Sequence, residues 1–569
     1  MFWKTSKPAI SRANHSGRLR SRSVRLELEA LEDRCLLSSY FVASTGNDHN
    51  PGTITQPFAT IQHALNVATN PGDTVNVRAG TYHEKIFFPA SGSATGGYIT
   101  LQAYSGEHVI LNGTGVPSSD RGFGNDMMQM HNISYVKLIG FEIENDTGTS
   151  SVDASGVHAE GSGSHIEIRN NVIHNILGVH AMGISIYGSS LTTPIDNIII
   201  DSNTIYNCQP ADSETLTLNG NVTTFQITNN LIHDVNNIGI DMIGGEASIF
   251  GVGQRTGLPV TRNGVCSHNT VCHVLAKYGG GYAAGIYVDG GQNITLTDNT
   301  SYANDLGLEV GAENRGYVAS GMMVENNLLY LNTQAGLVFG GFDQTVGRVE
   351  NCTFINNTVY KNDTTNTGNG QLWIQFASNN IVTSNIFYAA ANNVLIGGDG
   401  AGNTNNLLDY NVYFGPGGAN NAQFNWNANT YGTFADYRAG THQDGHSLFA
   451  DPLFVNASAN DFHLTNASPA IDAGSLTTGQ FAPTDFAGVS RGTPPDAGAY
   501  ENSGSASPVL VDATTGNTGK SHRVSDQSWC ARGPRVPRGL FSPHASAPGS
   551  PYTNWLAIRT MVARRFSVC

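Results

Sequence analysis

The chain has 569 residues, of which 66 are glycine, 39% are apolar and only 13% are charged, and its formal net charge is −15. The apolar content is sufficient for a large core, and abundant glycine with few charges favours an all-β repeat protein over a helical or disordered chain. The acids lie mainly in the middle of the chain, which argues against a nucleic-acid partner and is compatible with a neutral glycan or a cation.

The N-terminal segment is basic. Residues 1–25 contain seven Lys or Arg and no acid, without the apolar stretch of a signal peptide. The following letters, RLELEALEDRCLLS at residues 25–38, resemble the LEPR-XLL-type motif of exported planctomycete proteins, with Asp33 where proline is usual. The resemblance implies that residues 1–38 are a sorting segment of a secreted or cell-surface protein. The alternative is a short amphipathic helix with no sorting role.

A small cap is predicted next, over residues 39–112. Apolar residues recur at helical spacing between Phe58 and Ala68, which predicts a short helix over residues 57–69. Alternating strands surround it. Such an α/β cap covers the apolar end that the first coil of a solenoid would otherwise expose.

Residues 113–418 repeat one motif, a short alternating strand that ends in Asn, as in Ile294-Thr-Leu-Thr-Asp-Asn299. The final Asn recurs at Asn171, Asn203, Asn230, Asn269, Asn299, Asn327, Asn357 and Asn385. Most steps are 27 to 32 residues, which is the period of a parallel β-helix. Stacked coils would let these side chains hydrogen-bond in a ladder. A second column is predicted three positions later, at His174, Tyr206, His233, Tyr302, Tyr330, Tyr360 and Tyr388.

The longest step contains an insertion at about residues 246–262, which is expected to overhang the strand face that carries the acids. The repeats fade towards a closing block over residues 419–503, which contains Ser468-Pro-Ala-Ile-Asp-Ala-Gly474. This block resembles the carboxyl-terminal element of bacterial right-handed β-helix proteins. Residues 504–569 are basic and rich in Pro and Arg, and are expected to be disordered. No apolar run is long enough to cross a membrane.

Caps and repeats together resemble the pectin-lyase-like right-handed β-helix superfamily over roughly residues 40–500. The resemblance implies an all-β fold, a right-handed single-stranded parallel β-helix with a small N-terminal cap and a C-terminal cap. That superfamily includes polysaccharide lyases, hydrolases, epimerases and adhesins, so the fold alone leaves the function open.

One stretch is more specific. Gly285-Ile-Tyr-Val-Asp-Gly-Gly291 and, one repeat later, Leu306-Gly-Leu-Glu-Val-Gly-Ala-Glu313 resemble bacterial β-helix glycosidases of the β-xylosidase kind. Those enzymes use an Asp nucleophile and a Glu acid/base. The resemblance implies Asp289 as the nucleophile and either Glu309 or Glu313 as the acid/base.

The residues themselves support a carboxylate site. Aligning the strands on their glycines places Gly311 opposite Asp289, with Glu309 and Glu313 each about 8 Å away between Cβ atoms. Glycoside hydrolysis needs two carboxyl groups about 5 to 9.5 Å apart, and the gap at Gly311 would leave room for a sugar ring. The candidates for catalysis are Asp289, Glu309, Glu313 and Asp241. The candidates for substrate binding are Tyr287, Tyr187, Tyr282, Gly311, Lys277 and Arg315.

Three functions remain open. The first is a hydrolase of a plant or algal polysaccharide or oligosaccharide, which needs no cofactor. The second is a polysaccharide lyase or epimerase of the pectate or alginate type, in which the acids hold Ca²⁺ against a uronate and a Lys or Arg removes a proton. Only loop residues such as Lys277 and Arg315 supply such a base, which counts against it. The third is a non-catalytic surface or adhesion protein whose acids are ordinary solvated surface.

Overall fold

The computed structural model describes residues 38–504, apart from 118–124, 149–152, 212, 278–281, 342, 344 and 399. The predicted sorting segment and the predicted C-terminal tail lie outside the described residues except at their inner ends, and the domain boundaries stay predictions. No helix in the described part of the chain is long and apolar enough to span a membrane.

Three long sheets run side by side along the axis of a parallel β-helix, which confirms the predicted fold. Each coil contributes one strand to sheet 1, then one to sheet 2 and one to sheet 3. Alternate residues point inwards, so Val288, Leu308 and Leu337 join one continuous apolar core. The outward positions of sheet 1 are the ones predicted to carry the acids.

The strands of each sheet follow one another along this axis. Sheet 1 contains Ile86–Phe87, Met128–His131, Ala154–Glu160, Ala181–Gly188, Leu216–Gly220, Ile240–Ile243, Ala284–Asp289, Leu306–Gly311, Ala335–Gly340, Leu372–Gln375, Val394–Gly397, Gln423–Trp426 and Asn429–Tyr431. Sheet 2 contains Ser39–Val42, Thr74–Val77, Ile99–Ala103, Ser134–Ile139, Gly163–Arg169, Ile195–Asp201, Val222–Thr228, Arg262–Ser267, Gln292–Thr297, Met323–Glu325, Thr353–Ile355, Ile381–Thr383 and Leu407–Asp409, with Val318–Ser320, Arg348–Glu350 and Ala377–Ser378 beside this path. Sheet 3 contains Gly80–Tyr82, Val109–Asn112, Phe141–Thr147, Val172–Leu177, Thr204–Tyr206, Leu231–Val235, Thr270–Val274, Thr300–Tyr302, Leu328–Tyr330, Thr358–Tyr360, Ile386–Tyr388, Val412–Phe414 and Leu448–Phe449.

The remaining elements are few. Two α-helices, Ile61–Val67 and Phe434–Thr441, and two 3₁₀ turns, Ser248–Phe250 and Ala457–Ala459, are present among the described residues. An antiparallel pair, Phe454–Asn456 with Asp461–Leu464, belongs to the closing block.

The first helix begins later than predicted. Its N-cap is Thr60, whose hydroxyl accepts a hydrogen bond from the His63 N–H at 3.3 Å. Residues before it are extended because the Phe58 N–H donates to the Phe41 carbonyl at 2.9 Å. Phe58 is buried, as its helical spacing suggested, but through a strand-like bridge.

The asparagine ladder is confirmed. The backbone N–H and the side-chain amide of Asn299 both donate to the Oδ1 of Asn327 at 3.0 Å, and the same pair of contacts links most of the other members. The left-handed backbone of the corner belongs to the residue before each ladder asparagine: Asp298 and Asn326 have φ of 57° and 55°. The ladder residue turns inwards instead, where its amide meets buried backbone groups.

The aromatic column is also confirmed. His174, Tyr206 and His233 occupy matched positions on neighbouring strands of sheet 3, and their rings stack with centroids 4.6 and 5.0 Å apart. Tyr302 and Tyr330 stack in the same way at 4.7 Å. The column is therefore a structural stack along sheet 3, on another face from the candidate acids.

Candidate active site

The predicted register of the acids is confirmed. Asp289 pairs with Gly311 on the next strand of sheet 1, and Tyr287 pairs with Glu309. On the other side, Asp241 pairs with Tyr287. Asp241, Tyr287 and Glu309 therefore form one row across three strands, and Asp289 lies in the next row.

One strand of this face was missed in the sequence. Leu216–Gly220 lies between the strand of Tyr187 and the strand of Asp241, and it places Thr217 directly beside Asp241. The strands that were aligned in the sequence each have an apolar residue after a glycine, whereas Thr215 stands in the place of that glycine in this strand. Aligning the strands on their glycines alone therefore places Tyr187 one coil too close to Asp241.

Asp289 is held by the turn that follows its neighbour. It is 6% exposed, and its Oδ1 accepts a hydrogen bond from the backbone N–H of Glu313 at 2.6 Å. The Glu313 side chain is fixed in turn, because the hydroxyl of Tyr287 donates to its Oε1 at 3.1 Å. Asp289, Glu313 and Tyr287 thus form one connected group, and Tyr287 is buried within it.

The gap at Gly311 is not empty, in contrast to the prediction. A Cβ atom added there would lie 3.0 Å from the Tyr287 hydroxyl and 3.3 Å from its ring. The phenol of Tyr287 crosses this position on its way to Glu313. Gly311 therefore leaves room for the tyrosine ring, and any ligand at this position would lie above that ring.

Asp241 lies deeper than the other acids. It is 2% exposed, and its buried Oδ1 has no hydrogen-bond partner. Burial, followed by the negative charges of Glu214 and Asp289, raises the pKa of Asp241 well above its usual value. This shift favours the uncharged carboxylic acid form of Asp241.

The insertion forms a wall at one end of this face. Glu246 accepts a hydrogen bond from the Asn219 side-chain amide at 2.6 Å, and a Cβ atom at Gly220 would lie 2.2 Å from Ile249. At its far side, the insertion packs on Tyr317, whose hydroxyl donates to the Arg255 carbonyl at 2.9 Å. It therefore reaches from the strand before Asp241 to the turn after Glu313.

The predicted binding residues do not form one group around the acids. Tyr187 lies three strands before Asp289, where its ring meets His158 edge-on at 5.2 Å. Lys277 and Arg315 are exposed loop residues. The backbone of Arg315 bridges Val346. Hydrogen bonds from Thr345 lower the pKa of Asp343, and the charge of Arg315 acts in the same direction, so Arg315 faces the neighbouring turn. Tyr282, in contrast, packs against the apolar cluster that contains Tyr287.

A second polar group lies towards the N-terminal coils of sheet 1. His158 Nδ1 lies 2.7 Å from the Ser185 hydroxyl, and its Nε2 lies 3.6 Å from Glu160. Burial raises the pKa of Asp126 to about 7, although His158 and Ser155 act in the opposite direction. Burial alone would lower the pKa of His158, but Asp126 and Glu160 outweigh it and raise that pKa. No sequence pattern indicated Asp126, because it precedes its strand.

Replacing Asp126 by Asn should change how stability depends on pH. An acid whose pKa is raised on folding contributes stability below its unfolded value of 3.8, and this is lost as the pH rises through about 7. Between pH 4 and pH 8, the free energy of unfolding of the variant should rise by up to about 4 kcal/mol relative to that of the wild type. Urea unfolding at several pH values measures this. Asp436→Asn replaces an exposed acid on the second helix and is the matched control. If stability depends on pH in the same way in Asp126→Asn and in the wild type, the expectation is wrong.

Replacing Tyr287 by Phe should affect the site more than the fold. The variant loses the hydrogen bond to Glu313, worth about 1 kcal/mol, and with it one of the contacts that orient the glutamate side chain. We expect kcat/KM on a substrate of this site to fall about tenfold with little change in the melting temperature. Tyr302→Phe, in the aromatic stack of sheet 3, should leave kcat/KM unchanged. Equal losses in both variants would mean that the Tyr287 contact is not specific to the site.

Outside the acids, one group of described residues has the donors of a metal site. Ligand atoms of Glu142, Glu144 and His174 on sheet 3 lie within 4.8 Å of one another. His174 Nε2 lies 2.9 Å from Glu142, and the Asn112 amide donates to Glu144 at 2.6 Å. His174 Nδ1 is buried without a partner, so a metal on Nε2 would force the ring proton onto an atom with no acceptor. Hydrogen bonding explains this cluster better than a metal.

Comparison with known proteins agrees with this fold. The family model described as "Pel9A-like, right handed beta helix region" matches residues 40–224. The predicted resemblance to right-handed β-helix proteins is thus confirmed. Over 440 residues the chain is 35% identical to "Uncharacterized protein YwoF" of Bacillus subtilis (strain 168), covering 76% of this chain and 91% of YwoF. The chain belongs to the YwoF family.

Two further similarities concern carbohydrate-active proteins. The YwoF-family chain is 33% identical over 156 residues to "Pectate lyase PEL9" of Emericella nidulans, covering 25% of this chain and 36% of that protein. A solved structure, "The complex structure of XylC with xylose", is 14% identical with a TM-score of 0.45, covering 82% of this chain and 98% of that chain.

Proposed function

We propose that this YwoF-family protein is a secreted or cell-surface glycoside hydrolase acting on a plant or algal polysaccharide or oligosaccharide. The observation that carries the proposal is the arrangement of Asp289, held by the Glu313 N–H, diagonal to Glu309 across two strands of sheet 1. The diagonal separation of about 8 Å between Cβ atoms suits a pair of carboxyl groups on either side of a glycosidic bond.

The roles follow from exposure and contacts. Asp289 attacks the anomeric carbon or activates a water molecule, because its carboxylate is oriented by a backbone N–H. Glu309 donates the proton to the leaving oxygen, because it is half-buried on the outer face where a sugar would lie. Water supplies the hydroxyl group that completes hydrolysis.

Glu313 and Asp241 serve as supporting groups. Glu313 is tied to Tyr287 and to Asp289, so it orients the nucleophile rather than reaching the glycosidic oxygen. Asp241 is buried, and its raised pKa favours the uncharged form, which limits the negative charge beside an ionised Asp289.

A calcium-dependent pectate lyase is the second candidate, favoured by the segment shared with "Pectate lyase PEL9". Asp289, Glu309 and Glu313 would then supply oxygen ligands for Ca²⁺. The reaction also needs a base for the proton next to the uronate carboxyl group. Among the described outward positions of sheet 1 from Thr217 to Gln375 there is no Lys or Arg, which disfavours this candidate.

One experiment separates these reactions. The protein is incubated with aryl glycosides, neutral plant glycans and polygalacturonate, with and without a calcium chelator. A hydrolase releases reducing sugar in the presence of chelator, with no ultraviolet absorbance from an unsaturated uronate. Absorbance that the chelator abolishes would establish the lyase. No cleavage of any substrate would favour a non-catalytic surface or adhesion protein.

A further inference from the structure

A second apolar cluster lies outside the solenoid core, on the outer face of sheet 1. Tyr287 and Val338 belong to it, and Tyr282 and Trp373 pack against it. It adjoins the acids directly, because Glu309 pairs with Val338 on the next strand and Val338 pairs with Trp373 on the strand after that. Apolar and aromatic surface beside polar groups is the usual lining of a ligand site.

Trp373 is held in a defined position. Its Nε1 donates to the Gln375 side chain at 3.1 Å, and its ring lies 6.1 Å from that of Tyr282, tilted by 57°. A Cβ atom at Gly398 would lie 2.2 Å from Nε1, so the indole rests on the next coil where a side chain is missing. The indole remains partly exposed. A fixed and partly exposed indole can stack on the apolar face of a sugar ring.

The position of the indole indicates how long a bound sugar chain would be. Strands are about 4.8 Å apart, so Trp373 lies about 10 Å from Glu309 along the axis, roughly the length of two linked sugar units.

The charged groups of the site indicate which class of sugar it can bind. The charged residues at its described outward positions from Thr217 to Gln375 are Asp241, Asp289 and Glu309, and these positions include no Lys or Arg that would attract an anionic sugar.

We propose that the substrate is an uncharged oligosaccharide that runs along sheet 1 from Asp289 towards Trp373, where the indole stacks on the sugar two units from the cleaved bond. This inference rests on the proposed function for the position of cleavage. It adds a binding site and a substrate class, namely neutral chains of at least three units.

Binding rather than cleavage tests the proposal. Asp289→Asn, in the full chain, is titrated with one to six units of neutral xylo-, cello-, manno-, galacto- and arabino-oligosaccharides and of galacturonate oligomers. Affinity for at least one neutral series should rise when the chain becomes long enough to reach Trp373. Adding Trp373→Ala should remove that rise, with about a tenfold or greater loss for the longer chains and no change for the monosaccharide.

Two further variants keep the result interpretable. Trp373→Phe should restore part of the affinity for longer chains, whereas a structural role would leave it as poor as Trp373→Ala. Tyr104→Ala, a partly buried aromatic residue in the N-terminal coils, should leave binding unchanged. The proposal is wrong if no neutral series depends on Trp373, or if only the galacturonate series does. If length-dependent binding is found but the wild type cleaves nothing, the hydrolase fails and the indole site stands.

Discussion

Replacing Asp289 by Asn is expected to lower glycan cleavage about a thousandfold or more, because an amide can act neither as a nucleophile nor as a base. The fold should not suffer. The amide oxygen can still accept the Glu313 N–H, so the melting temperature should stay close to that of the wild type. Initial rates on the cleaved substrate and thermal unfolding measure the two effects.

Companion variants give this result its meaning. Glu309→Gln should slow cleavage strongly for substrates with poor leaving groups, because it removes the proton donor. Glu313→Gln should cost less, in line with a supporting role. Proton NMR of the first sugar anomer released tells a covalent intermediate from direct attack by water. Full activity in Asp289→Asn would refute the assignment of this residue.

Replacing Asn299 by Ala is expected to lower the free energy of unfolding by about 3 to 5 kcal/mol. Asn299 is fully buried, and its amide donates to the Cys266 carbonyl at 2.9 Å and to Asn327 Oδ1 at 3.0 Å. Its own Oδ1 accepts from the N–H and the side chain of Asn269, both at 3.0 Å. Truncation leaves these buried partners unsatisfied.

Urea unfolding measures this loss, with Asn420→Ala as the control. Asn420 is exposed in a turn of the closing block, so its replacement should change stability by no more than about 0.5 kcal/mol. If the two variants unfold at the same urea concentration, the buried ladder contributes little to stability.

The fold was predictable because each coil repeats the same physical solution. Every coil has a corner that needs a left-handed residue followed by an inward-pointing amide. The asparagines therefore recur in the sequence with the length of the coil. The pairing of Asp289 with Gly311 followed from aligning the strands on their glycines. A second ladder, in which Asn304 donates to Asn332 and Asn332 to Asn362, was missed although each follows its aromatic residue by two positions.

The rest of the site depends on contacts that no alignment of strands contains. In two coils the leading glycine is replaced, by Thr215 and by Gln371, so the strand beside Asp241 and the strand of Trp373 escaped notice. The sequence also showed the missing side chain at Gly311 without showing that the Tyr287 phenol covers it. The number of coils between a residue and the acids decides whether Tyr187 or Trp373 lies near them. One missed strand changes that number.

The insertion has a consequence for how the molecule opens. In a stack of coils each unit contacts only its neighbours, so the terminal coils are expected to unfold before the central ones. Contacts from Gly220 to Tyr317 clamp several coils into one cooperative block. We therefore expect the distances between Asp241, Asp289 and Glu309 to stay the same when the terminal coils open locally.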